Sequence, residues 1–416
     1  MGNLEALLAK PLMAHSPFPP YLLKAIARNS EYSNETRQGA HDLLESLRKT
    51  EERPPPFAPS RQVRMQAPTP TQVPPPTGPA RYIYSHPQAQ NATLLRKEGE
   101  GPCDDKWAND VYDFFGQVLL FYRNGFGRNS FDNKGGDVKV NIHHVRTGDA
   151  EWDNDAKEFN FGDGGPKDSV IPSGWAYQFD IVAHEFAHAV TGSTADLSAN
   201  STTNPQGKAL NESISDVFAS IVKQHAKNQT ADTADWLIGV GAFEPNNPNS
   251  GLRSLKEPGK AWKTQDDKDQ GVSKMKDYKS KPAELDTLPP LDLKDLNGSG
   301  ARRAQALAAI KDPARLAAVL QYLTYDSWIY ENSGIPSHAF YLVSTNIGGR
   351  SWEKPGQIWY KTLTDPQFHQ SVKSVKDIEI FETFAKATFD KAKALYGEPV
   401  ANSVKKAWID VGVLKQ

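Results

Sequence analysis

Two histidines four residues apart, His184 and His188, carry the chain's clearest capacity for metal chemistry. On an α-helix, residues four apart lie about 40° apart around the axis and roughly 6 Å along it. Both imidazoles therefore project from one face and can bind a single cation. Glu185 lies off that face, so we expect its carboxylate to take a proton from water at the cation as a general base.

Glu212 is the candidate for a third protein ligand. Catalytic zinc usually takes three protein ligands and leaves one position for water. Glu212 follows His188 by 24 residues, which lets the chain turn back on a second helix. Zinc would then serve as a Lewis acid, and Asp216, one turn beyond Glu212, would accept the free ring N–H of a ligand histidine. Taken alone, however, Asn-Glu-x-x-Ser-Asp could equally be a polar helix start with a capping carboxylate.

The segments that must position these ligands both read as helices. Apolar residues fill the other positions of 180–191, and those of 211–222 form one broad face. Upstream, we predict a helix over 111–122, a strand over 137–142, and a strand followed by a turn over 159–165. Downstream we predict mainly helix, at 230–238, 313–323, 337–344, 356–363 and 378–395, with a polar surface excursion over 260–300.

The N-terminal part of the chain differs in composition from the rest. Residues 1–50 contain an amphipathic helical pattern, whereas residues 51–80 hold ten of the 30 prolines and predict an extended linker open to proteolysis. We therefore expect a small helical unit over 1–50 and a linker over 51–80. A β-rich lobe over 81–192 and a helical lobe over 193–416 should follow.

Composition excludes several classes of partner. The net charge is −2, from 48 basic and 50 acidic residues, so we expect neither nucleic acid nor a membrane as partner. Cys103 is the single cysteine, which excludes an intrachain disulfide. The sequence shows no secretory signal, which predicts a cytoplasmic protein or secretion by a non-classical route. We also expect a monomer.

Several motifs together resemble the thermolysin-like neutral metalloendopeptidases, the M4 peptidase family. His184-Glu-Phe-Ala-His188 with Asn211-Glu212-Ser-Ile-Ser-Asp216 carries the resemblance, which extends over most of residues 81–416. Further matching stretches are 126–130, 161–164, 231–239, 252–254, 332–336 and 407–408. The resemblance implies an α+β fold of two lobes, β-rich and then helical, with zinc and substrate in the cleft between them.

The resemblance also implies an activity and a substrate site. It implies an endopeptidase acting on peptides or proteins, cleaving before bulky apolar residues. Ile181 and Leu252 match positions lining the pocket, Arg253 matches the arginine that holds the substrate carbonyl, and Ala150 contributes a backbone carbonyl. Residues 19–23 are similar to the short propeptide of protealysin-like members, which implies a precursor whose first 50 residues cover the cleft in cis.

The chain departs from the family pattern where the oxyanion is bound. Ala199 stands in place of a tyrosine, and Tyr330 in place of a histidine that Asp326 would support. Losing a preorganised donor costs about 10²–10³ in rate. Our hypothesis is that the Tyr330 hydroxyl donates to the oxyanion. The alternative is that Tyr330 only packs, leaving a weak enzyme or a peptide-binding pseudo-protease.

Calcium is the second metal that the resemblance raises. Calcium takes six to eight oxygen ligands, usually several from carboxylates. Asp180 and Asp235 match two family ligands, but matching positions elsewhere carry Lys223, Leu237 and Val240. We expect no double calcium site, and at most a single weak one.

Overall fold

The computed structural model describes residues 78–86, 92–144, 150–163, 174, 177–197, 205–240, 250–263, 268–280 and 326–416. The predicted helical unit over 1–50, most of the linker over 51–80 and the predicted helix over 313–323 lie outside these ranges. Ala199 lies outside them as well.

A five-stranded mixed sheet forms the first part of the described chain. Its strands are β1 (Arg81–Ser85), β2 (Thr93–Lys97), β3 (Val138–Ile142), β4 (Ala150–Asp153) and β5 (Glu158–Phe161), in the order β2-β1-β3-β5-β4. β1, β3 and β5 run parallel, while β2 and β4 pair antiparallel at the two edges. The central β3 buries Val138, Val140 and Ile142 completely on one face, while Lys139 between them is exposed.

Helix α1 (Lys106–Phe126) lies between β2 and β3 in sequence and packs on this sheet. Asp105 begins it by accepting a hydrogen bond from the Ala108 amide at 2.9 Å, and Gly127 ends it with φ of 66°. The predicted helix over 111–122 and the strands at 137–142 and 159 are confirmed. α1 is longer than the predicted helix because its capping residues, Asp105 and Gly127, lie outside the apolar pattern that predicted it.

The remainder of the described chain is mainly helical, which confirms the α+β class. Helices α2 (Phe179–Gly192), α3 (Pro205–Ala226), α4 (Asp326–Ile347), α5 (Lys354–Leu363), α6 (Pro366–Ser374), α7 (Ile380–Tyr396) and α8 (Glu398–Asp410) follow one another. A two-stranded antiparallel ribbon, β6 (Leu237–Ile238) with β7 (Arg253–Ser254), lies between α3 and α4 in sequence. None of the helices in the described ranges is both long enough and apolar enough to cross a membrane.

The helix predicted over 230–238 is wrong. The chain forms turns and then β6, with φ of 56° at Trp236. Asp235 Oδ1 accepts the Leu237 amide at 3.0 Å, and Thr230 and Thr233 hydroxyls bond locally. Short polar side chains thus satisfy backbone groups that a helix would otherwise use.

Pro336 does not separate two helices, as the prediction over 337–344 assumed. It lies within α4, although its ring removes one backbone donor from the helix. Ile335 and Phe340 are fully buried on either side of it, and Ser337 donates to Ser213 of α3 at 2.9 Å. Tertiary packing on α3 therefore outweighs the local penalty.

The surface excursion predicted over 260–300 is partly buried in the part that the structure describes. Trp262 and Asp269 are buried, and the Val272 amide donates to the Glu331 carbonyl of α4 at 2.9 Å. Asp269 accepts the amides of Gly259, Ala261 and Gly271, which folds this stretch back on itself.

Candidate metal centre

Helices α2 and α3 bring His184, His188 and Glu212 to one point. The two Nε2 atoms lie 3.0 Å apart, and each lies 3.5 Å from a different Glu212 oxygen. All three side chains are buried. Zinc bound tetrahedrally with bonds of about 2.0–2.1 Å requires ligand atoms about 3.3 Å apart. The donor set and its spacing therefore fit a zinc ion without rearrangement.

Asp216 fixes the orientation of His184. Its Oδ1 lies 2.9 Å from His184 Nδ1, which favours the proton on that nitrogen and leaves Nε2 to face the cluster. This is the contact that the sequence predicted for Asp216. A buried carboxylate in this position fixes the imidazole tautomer as well as its direction.

Arg253 forms a bidentate ion pair with the same Asp216 carboxylate. Its Nε donates to Oδ2 at 2.7 Å and its terminal nitrogen to Oδ1 at 2.8 Å. The sequence predicted both residues but not their pairing, which joins the ribbon β6–β7 to the metal centre. Because paired arginine and carboxylate match in geometry, such a contact is rigid.

The buried charges here are mutually stabilising. Burial disfavours the charged forms of Asp216 and Arg253, but Arg253 and His184 hold the pKa of Asp216 below its usual range. Likewise, burial lowers the pKa of His184, but Asp216 and Glu212 outweigh it and raise that pKa to about 10. The pocket thus favours positive charge at the point where a metal cation would bind.

Glu185 is fully buried beside His184, and its charge contributes to the raised pKa of that histidine. It lies next to the cluster but is not one of the three converging ligands. That placement agrees with a carboxylate that acts on water rather than on the metal.

Tyr330 packs near the centre through Arg253. The Arg253 guanidinium carbon lies 5.6 Å from the centroid of the Tyr330 ring, and the tyrosine is 6% exposed. Asp326, its expected support, is the first residue of α4. His338 instead bonds the Leu255 carbonyl at 3.1 Å, consistent with a structural role.

The residues expected to bind substrate are distributed over three elements. Ala150 begins β4, the edge strand of the sheet, and is fully buried. Ile181 on α2 and Leu252, just before β7, are also fully buried. The Leu252 amide donates to the Ile238 carbonyl at 2.7 Å, which fixes this position against β6.

Sequence reasoning missed the ion pair of Lys279 with Glu331, next to Tyr330. The Asn332 side chain also exchanges hydrogen bonds with the Lys279 backbone, at 2.9 Å each. These contacts fasten the segment before residue 280 to α4. No local signal could have revealed them, since 53 residues separate Lys279 from Asn332.

Family models match most of the chain. The thermolysin metallopeptidase catalytic domain matches residues 86–192, and the thermolysin metallopeptidase alpha-helical domain matches residues 200–286 and 294–413. The His184 helix falls in the first match, and Glu212, Arg253 and Tyr330 fall in the second.

Similar proteins extend over nearly the whole length. Protease PrtS of Photorhabdus sp. (strain Az29) is 32% identical over 326 residues, covering 77% of this chain and 72% of its own. The extracellular metalloprotease of Pectobacterium carotovorum subsp. carotovorum is 31% identical over 405 residues, 96% of each chain. The precursor of protealysin, a metalloproteinase from Serratia proteamaculans, matches in structure with a TM-score of 0.69 and 30% identity. That match covers 96% of this chain and all of the other.

Proposed function

The chain belongs to the thermolysin family of metallopeptidases and is a zinc metalloendopeptidase, and from this premise we propose which residues act, on what, and how the enzyme is held inactive. His184, His188 and Glu212 hold the zinc, and Glu185 is the general base. The observation that carries the proposal is the convergence of the three ligand atoms at 3.0–3.5 Å beside the buried Glu185.

Zinc, when bound, supplies Lewis-acid chemistry that makes water nucleophilic near neutral pH. Glu185 accepts the proton of the attacking water and later delivers it to the leaving amine. Asp216 keeps His184 in the ligating tautomer. Since Asp216 also holds Arg253, the guanidinium is fixed where it can donate to a substrate carbonyl.

Tyr330 donates its hydroxyl hydrogen to the oxyanion that develops on the scissile carbonyl. Its ring lies on the Arg253 side of the metal centre, and a tyrosine can donate without carrying charge. A preorganised donor of this kind contributes about 10²–10³ in rate.

Cleavage occurs before bulky apolar residues. Ile181 and Leu252 are apolar, fully buried and matched to the pocket of related enzymes. The substrate backbone adds to the sheet edge at β4, where Ala150 provides a carbonyl. A pocket lined in this way gains binding free energy from apolar side chains.

Residues 1–50 inhibit the enzyme in cis until the linker 51–80 is cut. The protealysin precursor match leaves 4% of this chain uncovered, about 17 residues, so most of the first 80 residues have a counterpart in that precursor. By analogy with the extracellular relative, the mature enzyme acts outside the cell.

Incubation of the purified full chain with an unfolded protein and with peptides carrying free or blocked amino termini tests these assignments. We expect internal cleavage of both peptide types, its loss on zinc chelation, and its return when zinc is added. Glu185→Gln should retain zinc by metal analysis, lose cleavage, and leave its own chain uncut within 51–80.

Three results would contradict the proposal. Stepwise release from free amino termini only would indicate an aminopeptidase. Persistent cleavage by Glu185→Gln would exclude that residue as the base. An absence of cleavage even after removal of residues 1–80 would indicate a peptide-binding protein.

A further inference from the structure

Lys223 is a buried lysine on α3, the helix that carries Glu212. Its ammonium lies 3.3 Å from Asp180 Oδ2 and 2.9 Å from Asp235 Oδ1, and it donates to the Leu237 carbonyl. An ammonium group has three hydrogens to donate, so these three oxygens use its full capacity. Only 5% of the residue is exposed.

Two of the three oxygens belong to α2 and β6, and that of Asp235 lies just before β6. Asp180 lies in the first turn of α2, four residues before His184, and Leu237 begins β6, the strand that pairs with the Arg253 strand. Charged side chains of α3 therefore connect to α2 and the ribbon at two places. One connection runs through Asp216 to His184 and Arg253, and the other runs through Lys223 to Asp180 and Leu237.

Both connections include ion pairs. The residues of the Asp216 connection take part in the proposed mechanism, whereas Lys223 does not. The Gly239 amide also donates to Asp180 Oδ2 at 3.2 Å, so the ribbon binds the carboxylate that Lys223 neutralises. Burial alone would lower the pKa of Lys223, but Asp180 and Asp235 raise it, so the ammonium stays charged. Lys227 lies 4.0 Å from the other Asp235 oxygen and is largely exposed.

We propose that Lys223 is a positioning residue whose ammonium takes the place of a structural divalent cation and holds the β6–β7 ribbon, and with it Arg253, against the zinc-binding helices. Two carboxylates and a carbonyl are the oxygens that calcium would take. Here the fixed positive charge lies among them, so calcium does not fit. The positioning role rests on the proposed function of Arg253, whereas the replacement of calcium does not.

Substitution of Lys223 and addition of calcium test the proposal, using the zinc-loaded full chain. Lys223→Met removes the charge at similar length, and Lys223→Glu adds a third carboxylate that calcium could bridge. Lys227→Met is the matched control, because it alters an exposed lysine directly after the same helix that lies near the same Asp235.

We expect kcat/KM of Lys223→Met on an internally cleaved peptide to fall about tenfold or more, because small displacements of a positioned group are costly. Its zinc content should stay unchanged, and Lys227→Met should match the wild type. Millimolar calcium should raise the Tm and kcat/KM of Lys223→Glu while leaving the wild-type Tm unchanged.

A wild-type Tm that rises with calcium would overturn the replacement of the cation, as would a Lys223→Glu chain that calcium fails to stabilise. A Lys223→Met enzyme with wild-type kcat/KM would overturn the positioning role. If Lys223→Met does not fold, calcium rescue of Lys223→Glu decides the question. The Tm measurements need no peptidase activity, so they remain decisive even if the proposed function fails.

Discussion

Asp216 shows how much a single side chain contributes at the metal centre. Its two oxygens lie within 2.9 Å of the His184 imidazole, a proposed zinc ligand, and of the Arg253 guanidinium. One buried carboxylate therefore contacts both a proposed metal ligand and the proposed substrate-binding arginine. Removing one partner of such a buried set leaves an uncompensated charge and is strongly destabilising.

Tyr330→Phe isolates the contribution of the hydroxyl group. Phenylalanine keeps an aromatic ring against the Arg253 guanidinium, so packing and cation–π contact are retained. We expect kcat/KM to fall by about 10²–10³ with little change in KM, because the lost donor acts on the oxyanion. Steady-state kinetics on a blocked peptide provides the measurement, and an unchanged kcat/KM would reduce Tyr330 to a packing residue.

His143 makes stability depend on pH. Its Nε2 lies 2.8 Å from Asp105 and its Nδ1 lies 2.7 Å from Asp163, so both nitrogens donate when the ring is protonated. Burial opposes the charge, but the two carboxylates outweigh it and raise the pKa of His143. When the pKa of a histidine is higher in the folded than in the unfolded protein, its protonation stabilises the fold. The stabilisation is complete below the unfolded-state pKa of about 6.5 and is lost as the pH rises through the folded-state pKa.

We therefore expect the Tm difference between wild type and His143→Gln to be largest below about pH 6.5 and to shrink at higher pH. Thermal unfolding over a pH series measures it. A difference that is constant, or that grows with pH, would show that the two ion pairs do not control stability.

At the scale of elements, the β6–β7 ribbon is the least predictable and most constrained part of the site. Gly239, directly after β6, has φ of 64°, and an added Cβ would lie 2.8 Å from Leu252 Cγ. The ribbon therefore needs glycine here for two reasons, its backbone conformation and its contact with a residue of the proposed pocket.

Gly239→Ala should lower stability by the cost of left-handed backbone, about 1–2 kcal/mol, plus the cost of displacing Leu252. Gly348→Ala is the matched control, since it has φ of 73° but no atom within 4 Å of the added Cβ. Denaturant unfolding should show the larger loss for Gly239→Ala. Equal losses would mean that Leu252 adjusts without cost.

At the scale of the whole molecule, the proposed zinc site spans two helices of the core. α2 contributes both histidines and α3 contributes Glu212, and almost every residue of both helices is buried. A metal that binds only the folded chain stabilises it by mass action. When the free metal concentration is a thousand times its Kd, the free energy of unfolding rises by about 4 kcal/mol. Loss of zinc should therefore destabilise the entire fold and not only the catalytic centre.

We expect the Tm to fall by several degrees on chelation and to recover when zinc is restored. Scanning calorimetry measures the shift, and His188→Ala should be nearly insensitive to the chelator because its site is incomplete. Equal Tm values with and without zinc would indicate that the helices hold together through packing alone.

The sequence by itself determined the fold class, the family and the three side chains that converge as candidate metal ligands. Helical geometry makes the spacing of His184 and His188 sufficient to align them, and buried helices have an apolar pattern that local sequence reveals. Helix and strand positions followed for 111–122, 137–142 and 356–363. The helix over 230–238 did not, because short polar side chains and a left-handed Trp236 redirect the chain.

Only the tertiary structure decided which charges meet. Arg253 and Asp216 are 37 residues apart, and Lys223 and Asp180 are 43 apart, so no local period connects them. The placement of Tyr330 against Arg253 likewise depends on how α4, which continues through Pro336, packs on α3. Local spacing sets the direction in which a side chain projects, whereas its charged partner depends on the packing of distant elements.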